Sequence, residues 1–202
     1  ITWCRRGVNG FRCDAGYMVP LPAWQYIVCR VRQEFPRTVF LLEGLGGSWA
    51  ATEALLTTGG MQWAYSELFQ NFDAPAIITY LAHCAGAAAS RGVLIHYSET
   101  HDNERLAAKG RAWSLLRNRL SALTSNAGAY GFTAGVEWLA CEKLEVHQSR
   151  GLNWNAPEHI LDELTVLNRL LADDPIFFDG AVITQIADPS TGVVALSRSA
   201  PN

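Results

Sequence analysis

The feature that most constrains the fold of this sequence is a regular alternation of short apolar runs with longer segments whose apolar residues recur every three to four positions. The short runs have the length of buried strands, and the longer segments have the period of an amphipathic helix. The unit repeats about five times along the chain. This alternation predicts an α/β fold in which helices cover both faces of a parallel sheet.

The five predicted strands are GVNGFRCD, TVFLLE, MQWAYSE, VLIHYSE and AGAYGF. The predicted helices begin near Pro22, Ala50, Pro75 and Ala112 and after Pro157. The apolar face predicted for the first helix consists of Trp24, Ile27, Val28 and Val31. Five such units fit either an open doubly wound sheet or an incomplete eight-stranded barrel, because the local pattern does not distinguish the two.

The end of the chain has a different period. AVITQIA and VVALS are extended segments, and the turn-forming sequence DPSTG lies between them, so they predict a hairpin. We therefore place residues 1–175 in one domain and the beginning of a small β domain in residues 176–202. Since the chain lacks an initial Met and stops directly after a strand-like segment, we expect it to be a piece of a longer protein.

Composition excludes several classes of protein. The chain has 202 residues, 49% of them apolar, with 16 Lys and Arg against 19 Asp and Glu, a net charge of −3. It offers no overall positive field for nucleic acid or an anionic membrane. No apolar run approaches the roughly 18 residues of a transmembrane helix, and the first residues lack the apolar core of a signal peptide.

The cysteines and histidines do not predict a metal site or a cofactor. The five cysteines are odd in number, scattered and without a CxxC pair, which favours reduced and mostly buried thiols over a disulfide framework or zinc site. His96, His101 and His147 lack metal-ligand spacing, and His96 inside a strand predicts a hydrogen-bonded core histidine. The sequence GLGG resembles a dinucleotide fingerprint, but Trp49 occupies the position of the third glycine.

Acidic residues follow three of the predicted strands: Asp14, Glu43 and Asp102. Loops at the carboxyl ends of parallel strands build the sites of α/β proteins, so three carboxylates there favour catalysis. The alternative for each acid is a helix N-cap or an ordinary loop carboxylate.

Asp14 and Glu43 have different surroundings in the sequence. Arg12 lies two residues before Asp14 and therefore on the same face of the strand, where its charge favours an ionised carboxylate suited to nucleophilic attack. The alternative is a structural ion pair. Glu43 follows four apolar residues and precedes Gly44, which predicts a setting with little water that suits a proton donor.

The segments GFRCDAGYMVP, FLLEGLGG and HYSETHDNERL together resemble the second, third and fourth signature regions of the alpha-amylase family of retaining glycoside hydrolases and transglycosidases, in the family's order. The resemblance implies that the chain supplies about strands 4–8 of a TIM (β/α)8 barrel, followed by the start of a C-terminal β domain. The family's first signature region, with its Asn-His pair, is absent. The resemblance therefore implies a missing N-terminal half of the same barrel.

The resemblance also implies roles for five residues. Asp14 is expected to be the catalytic nucleophile and Glu43 the general acid/base. Asp102 is expected to be the third catalytic residue, a carboxylate that binds sugar hydroxyls and stabilises the transition state. Arg12 is expected to orient Asp14, and His101 to bind substrate. The expected substrate is an α-1,4-glucan or maltooligosaccharide.

A later segment, GVEWLACEKLEVHQSRGLNWNAPEHI, more weakly resembles the maltosyltransferase branch, which uses maltose 1-phosphate. That enzyme is the alternative function, and a non-catalytic glucan-binding protein is another. Four tryptophans in or near predicted loops are equally suited to stacking on sugars or to core packing: Trp49, Trp63, Trp138 and Trp154. The reduced cysteines favour a cytoplasmic protein.

Overall fold

The computed structural model describes residues 1–145, 147–148 and 151–201. Within these residues, the α-helices are α1 (Thr2–Arg5), α2 (Leu21–Glu34), α3 (Trp49–Leu56), α4 (Ala74–Ser90), α5 (Arg111–Leu123) and α6 (Leu161–Asp173). The strands are β1 (Gly10–Cys13), β2 (Val39–Leu42), β3 (Trp63–Ser66), β4 (Val93–Tyr97), β5 (Tyr130–Gly131), β6 (Val182–Gln185) and β7 (Leu196–Ser199). No helix of this described part of the chain is both long and apolar enough to span a membrane.

Strands β1 to β5 form one sheet in which the spatial order equals the chain order. The pairs β1–β2, β2–β3 and β4–β5 are parallel, and Cys13 stands opposite Leu42 in the first of them. An α-helix follows each of the first four strands, and after β1, β3 and β4 a short 3-10 turn precedes that helix. The predicted parallel sheet with helical crossovers is therefore confirmed.

Two details differ from the sequence prediction. The fifth strand is only two residues long, because Ala127 and Gly128 both have positive φ, at 50° and 65°, and form a turn where AGAYGF predicted extended chain. On α2, Val28 and Val31 are buried, but Ile27 is 39% exposed. The buried stripe of α2 is thus narrower than its apolar composition predicted.

The chain divides into two compact units, residues 1–66 with 83–95 and residues 67–82 with 96–202. In the first unit the core is formed by apolar residues of α2, β2, α3 and β3. The most buried of them are Val28, Phe40, Leu42, Leu55 and Ala64. Helix α3 begins at a serine cap, since Ser48 Oγ accepts a 3.2 Å hydrogen bond from the amide of Ala51.

The core of the second unit lies where α5 packs on α6. Its buried members are Ala107, Leu115, Ala122, Val136, Leu139, Ile160, Leu164 and Leu167. His96, at the end of β4, is fully buried, and its Nδ1 lies 3.3 Å from both the Ser121 carbonyl oxygen and Thr124 Oγ1. Burial lowers the pKa of His96 to about 4. The prediction of a hydrogen-bonded core histidine is confirmed.

The predicted hairpin is also present, with β6 and β7 antiparallel. Arg198 of β7 fastens it to the rest of the second unit. Its guanidinium donates hydrogen bonds to the carbonyl oxygens of Leu123 and Ile176, both at 3.1 Å, and of Ser125. It also lies 4.3 Å from the centroid of the Phe177 ring. Burial of this cation lowers the pKa of Arg198 to about 10.

All five cysteines are free thiols, and three of them are buried. The buried ones are Cys4, Cys13 and Cys84, while Cys29 and Cys141 are exposed. Burial raises the pKa of the Cys13 thiol to about 11, so it stays protonated near neutrality. The burial of three of the five confirms the prediction of mostly buried cysteines.

Candidate active site

Arg12 and Asp14 meet at the carboxyl end of β1. Arg12 Nη1 lies 2.5 Å from Asp14 Oδ1, and Arg12 Nε donates a 3.2 Å hydrogen bond to the Tyr65 hydroxyl. Desolvation by itself lowers the pKa of Arg12, but the bonds to Asp14 and Tyr65 outweigh it and raise that pKa above its ordinary value. The Asp14 side chain remains 80% exposed, so the arginine orients a carboxylate that stays open to an incoming molecule.

Glu43 begins the loop after β2, and backbone amides fix both of its carboxylate oxygens. The amide of Ala15 donates to Oε2 at 2.7 Å, and the amide of Leu45 donates to Oε1 at 3.2 Å. Because Ala15 directly follows Asp14, these bonds bring Glu43 beside the segment that carries Asp14. Glu43 is half-buried and its neighbours are polar amides, whereas the sequence predicted a setting with little water. The reason is that β2 ends one residue earlier, which leaves Glu43 at the rim of the sheet.

The backbone at Ala15 is left-handed, with φ 42° and ψ 40°. A non-glycine residue in this region is strained by roughly 1–2 kcal/mol. Strained backbone clusters at functional sites, where the surrounding structure holds it in place. Here the amide of this strained residue is the one that holds Glu43.

None of the three candidate acids caps a following helix. Ser48 caps α3, and the residue that precedes α5 is Gly110. The short 3-10 helix at Gly16–Met18 has no side-chain cap. The helix-cap alternative considered for the acids is therefore excluded.

The glycine-rich turn after Glu43 has a packing role. Gly46 has φ 83°, and a side chain at Gly47 would come within 3.1 Å of the Tyr17 ring and 3.2 Å of the Gly44 carbonyl oxygen. Tyr17, which is not among the predicted site residues, lies in the 3-10 turn after Asp14. The turn thus lets this ring lie against the backbone of the Glu43 loop.

His101 and Asp102 form a second candidate group, in the loop after β4. His101 Nε2 lies 3.3 Å from Asp102 Oδ2, and the Asp102 side chain is 73% exposed. Thr100 Oγ1 donates to Asn103 Oδ1 across the same turn and accepts from the Asp102 amide at 3.4 Å. Hydrogen bonds of Thr100 thus stabilise the turn that carries His101 and the exposed Asp102.

The structure brings the five predicted site residues into two groups. Arg12, Asp14 and Glu43 belong to the first compact unit, and His101 and Asp102 to the second. Within each group the side chains contact one another or a shared backbone segment.

Sequence analysis missed a buried ion pair in the same loop as His101. Glu99 Oε1 lies 2.6 Å from Arg105 Nε, and the two side chains are 2% and 0% exposed. The Leu106 amide donates to Glu99 Oε2 at 2.6 Å, and Arg105 donates to the Ala134 carbonyl oxygen at 2.9 Å. Desolvation raises the pKa of Glu99 to about 7, although the Leu106 amide and Arg105 favour its charged form. The signal was available, since Glu99 ends the predicted strand VLIHYSE as Glu43 ends the predicted strand TVFLLE.

The four candidate tryptophans have different environments. Trp49 is 46% exposed and stacks on His83 with ring centroids 3.9 Å apart. Trp63 and Trp154 are exposed, and Trp138 meets His159 edge to face. Three of the four rings are therefore at the surface, where core packing does not account for them. Positions 146, 149 and 150 of the segment that resembles the maltosyltransferase branch lie outside the described residues, as does position 202.

No group of three or more His, Cys, Asp or Glu residues that could hold a metal ion is found in the described parts of the chain.

Known proteins similar to this chain were found by sequence and by fold. No protein-family model matches the chain. Over its whole length, however, it is 28% identical to the alpha-1,4-glucan:maltose-1-phosphate maltosyltransferase of Burkholderia pseudomallei, and it covers 18% of that protein. It is 26% identical to the enzyme of the same name from Pseudomonas aeruginosa, with 87% of this chain and 28% of the relative aligned.

The solved structures similar to this one include an alpha-amylase from Lactobacillus plantarum, with a TM-score of 0.72 and 17% identity over 98% of this chain and 51% of that one. The resemblance to the alpha-amylase family is confirmed. A cyclic alpha-maltosyl-(1→6)-maltose hydrolase from Arthrobacter globiformis gives a TM-score of 0.71 and 19% identity, over 92% of this chain and 44% of the other. The fold is thus that of part of an alpha-amylase-type barrel, and the chain spans less than a third of the maltosyltransferases it matches.

Proposed function

We propose that this chain carries the catalytic carboxylates of an α-glucan-active retaining glycoside hydrolase or transglycosidase. The observation that carries the proposal is the joint placement of Asp14 and Glu43. One is exposed and held by Arg12, and the other is fixed by the amide of Ala15, the residue after Asp14. A retaining double displacement requires two nearby carboxyl groups, one as nucleophile and one as acid/base, and these two acids directly follow neighbouring strands in different surroundings.

In the proposed reaction, Glu43 donates a proton to the oxygen of the α-1,4-glucosidic bond while Asp14 attacks the anomeric carbon. The bond to the leaving sugar breaks, and a covalent glycosyl-enzyme forms on Asp14. Glu43, now a carboxylate, takes a proton from an acceptor hydroxyl, which attacks the same carbon and releases Asp14. Two inversions give net retention.

The other predicted residues have supporting roles in this mechanism. Arg12 keeps the attacking oxygen of Asp14 in one orientation and stabilises its charge in the free enzyme. His101 and Asp102 are proposed to bind hydroxyl groups of the sugar at the cleavage point, since both are partly or largely exposed and contact each other.

A second candidate function is transfer of maltose from maltose 1-phosphate to an α-1,4-glucan. It is favoured by the maltosyltransferase names of the relatives that align with 87–100% of this chain. The two functions share the glycosyl-enzyme and differ in the leaving group and in the acceptor that reaches it. A non-catalytic glucan-binding protein is disfavoured, because all three acids are present.

The experiment is product analysis with the natural full-length polypeptide and maltooligosaccharides, with and without inorganic phosphate. Free shorter sugars indicate hydrolysis, longer glucans indicate transfer, and maltose 1-phosphate formed only with phosphate indicates the maltosyltransferase. Full activity of Asp14→Asn would refute the proposed nucleophile. Failure of every maltooligosaccharide to react would refute the proposed class of enzyme.

We further propose that residues 1–175 belong to the catalytic barrel and that a C-terminal β domain begins near residue 176. The proposed partner in folding is the N-terminal half of the same barrel, and the proposed compartment is the cytoplasm. Separate expression of the two halves of the barrel, followed by mixing and an activity assay, tests whether the N-terminal half is the folding partner.

A further inference from the structure

A pair of aromatic rings, one exposed and one half-buried, lies outside the residues used in the proposed mechanism. Phe72, just before α4, and Trp113, in the first turn of α5, have stacked rings with centroids 6.3 Å apart and planes 21° apart. Phe72 is 61% exposed, although apolar rings are usually withdrawn from water.

The buried Arg117 packs against both rings of the pair. Arg117 is 2% exposed and donates hydrogen bonds to the carbonyl oxygens of Asn71, at 2.9 Å, and Leu68, at 3.0 Å. Its guanidinium carbon lies 5.1 Å from the Phe72 centroid and 5.8 Å from that of Trp113. Arg117 therefore fixes both the backbone that leads into Phe72 and the underside of the two rings. An exposed ring fixed in this way loses little conformational entropy when something binds to it.

A cavity of about 300 Å³ opens beside these rings, at the low end of the volumes typical of small-molecule sites. Its exposed rim is polar and consists of Gln70, Asn103, Glu104 and Lys109. The ammonium group of Lys109 lies 5.9 Å from the Phe72 centroid and 5.6 Å from that of Trp113. The Glu99–Arg105 pair forms the buried base of the cavity.

The charges around the cavity balance. Glu99 and Glu104 are acidic, while Arg105 and Lys109 are basic, so the lining carries no net formal charge to attract an ion. Amide, carboxylate and ammonium groups around a flat ring instead suit an uncharged ligand with one apolar face and many hydroxyl groups. A pyranose sugar has this character, because its axial C–H bonds form an apolar face and its hydroxyls project around the edge.

We propose that this cavity is a carbohydrate-binding site in which a glucosyl unit of an α-glucan stacks on Phe72 and bonds to the polar rim. This rests on the proposed function for the identity of the sugar. Asn103 is adjacent to Asp102 in the chain and is bonded to Thr100, so one braced turn carries both the candidate catalytic carboxylate and part of the cavity rim. A glucan segment held here is bound by residues distinct from those that perform the chemistry.

The test measures maltoheptaose binding by calorimetry in the natural full-length polypeptide, in a background with Asp14→Asn so that the sugar is not consumed. Phe72→Ala is expected to weaken binding by at least about tenfold, because an anchoring aromatic ring is lost. Phe72→Tyr keeps the ring and is expected to bind as the parent does. Val166→Ala removes an apolar side chain of similar exposure, 63%, from α6 and serves as the matched control.

Equal binding by Phe72→Ala and the parent would overturn the proposal, and so would the absence of any maltoheptaose binding. If Phe72→Ala does not fold, Phe72→Leu retains apolar bulk without a flat face, and unchanged binding in that variant has the same meaning. Turnover of maltooligosaccharides by the wild type is measured separately. Ring-dependent binding without turnover would refute the proposed function and leave the carbohydrate-binding site standing.

Discussion

The backbone amide of Ala15 donates a 2.7 Å hydrogen bond to the carboxylate of Glu43. The contact links the loops that follow two neighbouring strands, and it is reinforced by the 3.1 Å bond from the Gly16 amide to the Glu43 carbonyl oxygen. The position of the proposed acid/base therefore depends on the backbone next to the proposed nucleophile. A change in this backbone is expected to affect both carboxylates together.

Substitutions at Ala15 test this dependence. Since φ is 42° there, Ala15→Gly is expected to leave the fold intact and to change the free energy of unfolding by no more than about 1 kcal/mol. Ala15→Val is expected to destabilise by more than that, because a β-branched residue resists the left-handed region. Thermal melts and activity assays measure both effects. Equal stability of the Val and Gly variants would show that the strain is not real.

The two proposed catalytic acids should differ from other surface acids in their effect on activity. Glu43→Gln is expected to lower kcat by about 10²–10⁴-fold, the usual contribution of a general acid/base. Asp14→Asn is expected to lower it by about 10³-fold or more, because no glycosyl-enzyme forms. Asp162→Asn, an exposed acid at the start of α6, is the control. A loss smaller than tenfold in Glu43→Gln, with folding intact, would contradict its assignment.

The buried groups His96 and Glu99 predict opposing effects of pH on stability. The lowered pKa of His96, about 4 against 6.5 in the unfolded chain, gives stability that is lost as pH falls through that interval. The raised pKa of Glu99, about 7 against 4.5, gives stability that is gained as pH falls from 7 to 4.5. The two contributions oppose each other over most of this range, so the wild type is expected to show a shallow pH dependence.

Replacing His96 should leave the pH dependence of stability that Glu99 alone produces. His96→Asn keeps a hydrogen-bonding side chain without a titrating ring, so its free energy of unfolding is expected to rise as pH falls from 7 to 4.5. Urea titrations at several pH values provide the measurement. If His96→Asn has the same slope as the wild type, His96 does not titrate as its burial predicts, and a slope of zero in the variant would contradict the raised pKa of Glu99.

Arg198 should be the main attachment of the hairpin. Arg198→Ala is expected to lower the free energy of unfolding by about 3 kcal/mol, since hydrogen bonds from a charged group contribute about 1.5–3 kcal/mol each and some are replaced by water. Arg198→Lys retains the charge but carries its three donors on a single nitrogen, whereas Nε, Nη1 and Nη2 of Arg198 each reach a different carbonyl oxygen, so lysine should restore less than half of the loss. Hydrogen exchange at residues 182–199 would locate the effect, and unchanged protection there would contradict it.

Residues 1–202 expressed alone are expected to be poorly stable and inactive. Strands β1 and β5 each have a neighbour on one side only, among the strands that the structure describes. Unpaired strand edges favour association with other chains. Light scattering and a thermal melt test this, and a cooperative monomeric transition together with glucan turnover would disprove it.

Much of the fold followed from sequence because strand and helix periods are local properties. TVFLLE contains the apolar run VFLL and VLIHYSE contains the apolar run VLI, and both segments form parallel strands. The fifth strand was predicted too long because the left-handed backbone at Ala127 has no signature in its side chain. The exposure of Ile27 likewise depends on what packs against α2, which a helical period does not specify.

The candidate site was predicted in part for a similar reason. The contact between Arg12 and Asp14 follows from strand alternation, because side chains two residues apart in a strand point to the same face. The bond from Ala15 to Glu43 depends on the register between β1 and β2, and the Glu99–Arg105 pair depends on how a turn folds back on itself. Neither relationship is local, and neither could be derived from spacing alone.

The bonds of Arg198 end on main-chain oxygens at positions 123, 125 and 176. Because every residue type supplies the same carbonyl group, these three positions are free to drift during evolution without weakening the attachment. Position 198 has no such freedom, since no other side chain offers a planar fork of five donors. In an alignment of orthologues, we therefore expect an invariant arginine at position 198 and variable residue types at positions 123, 125 and 176.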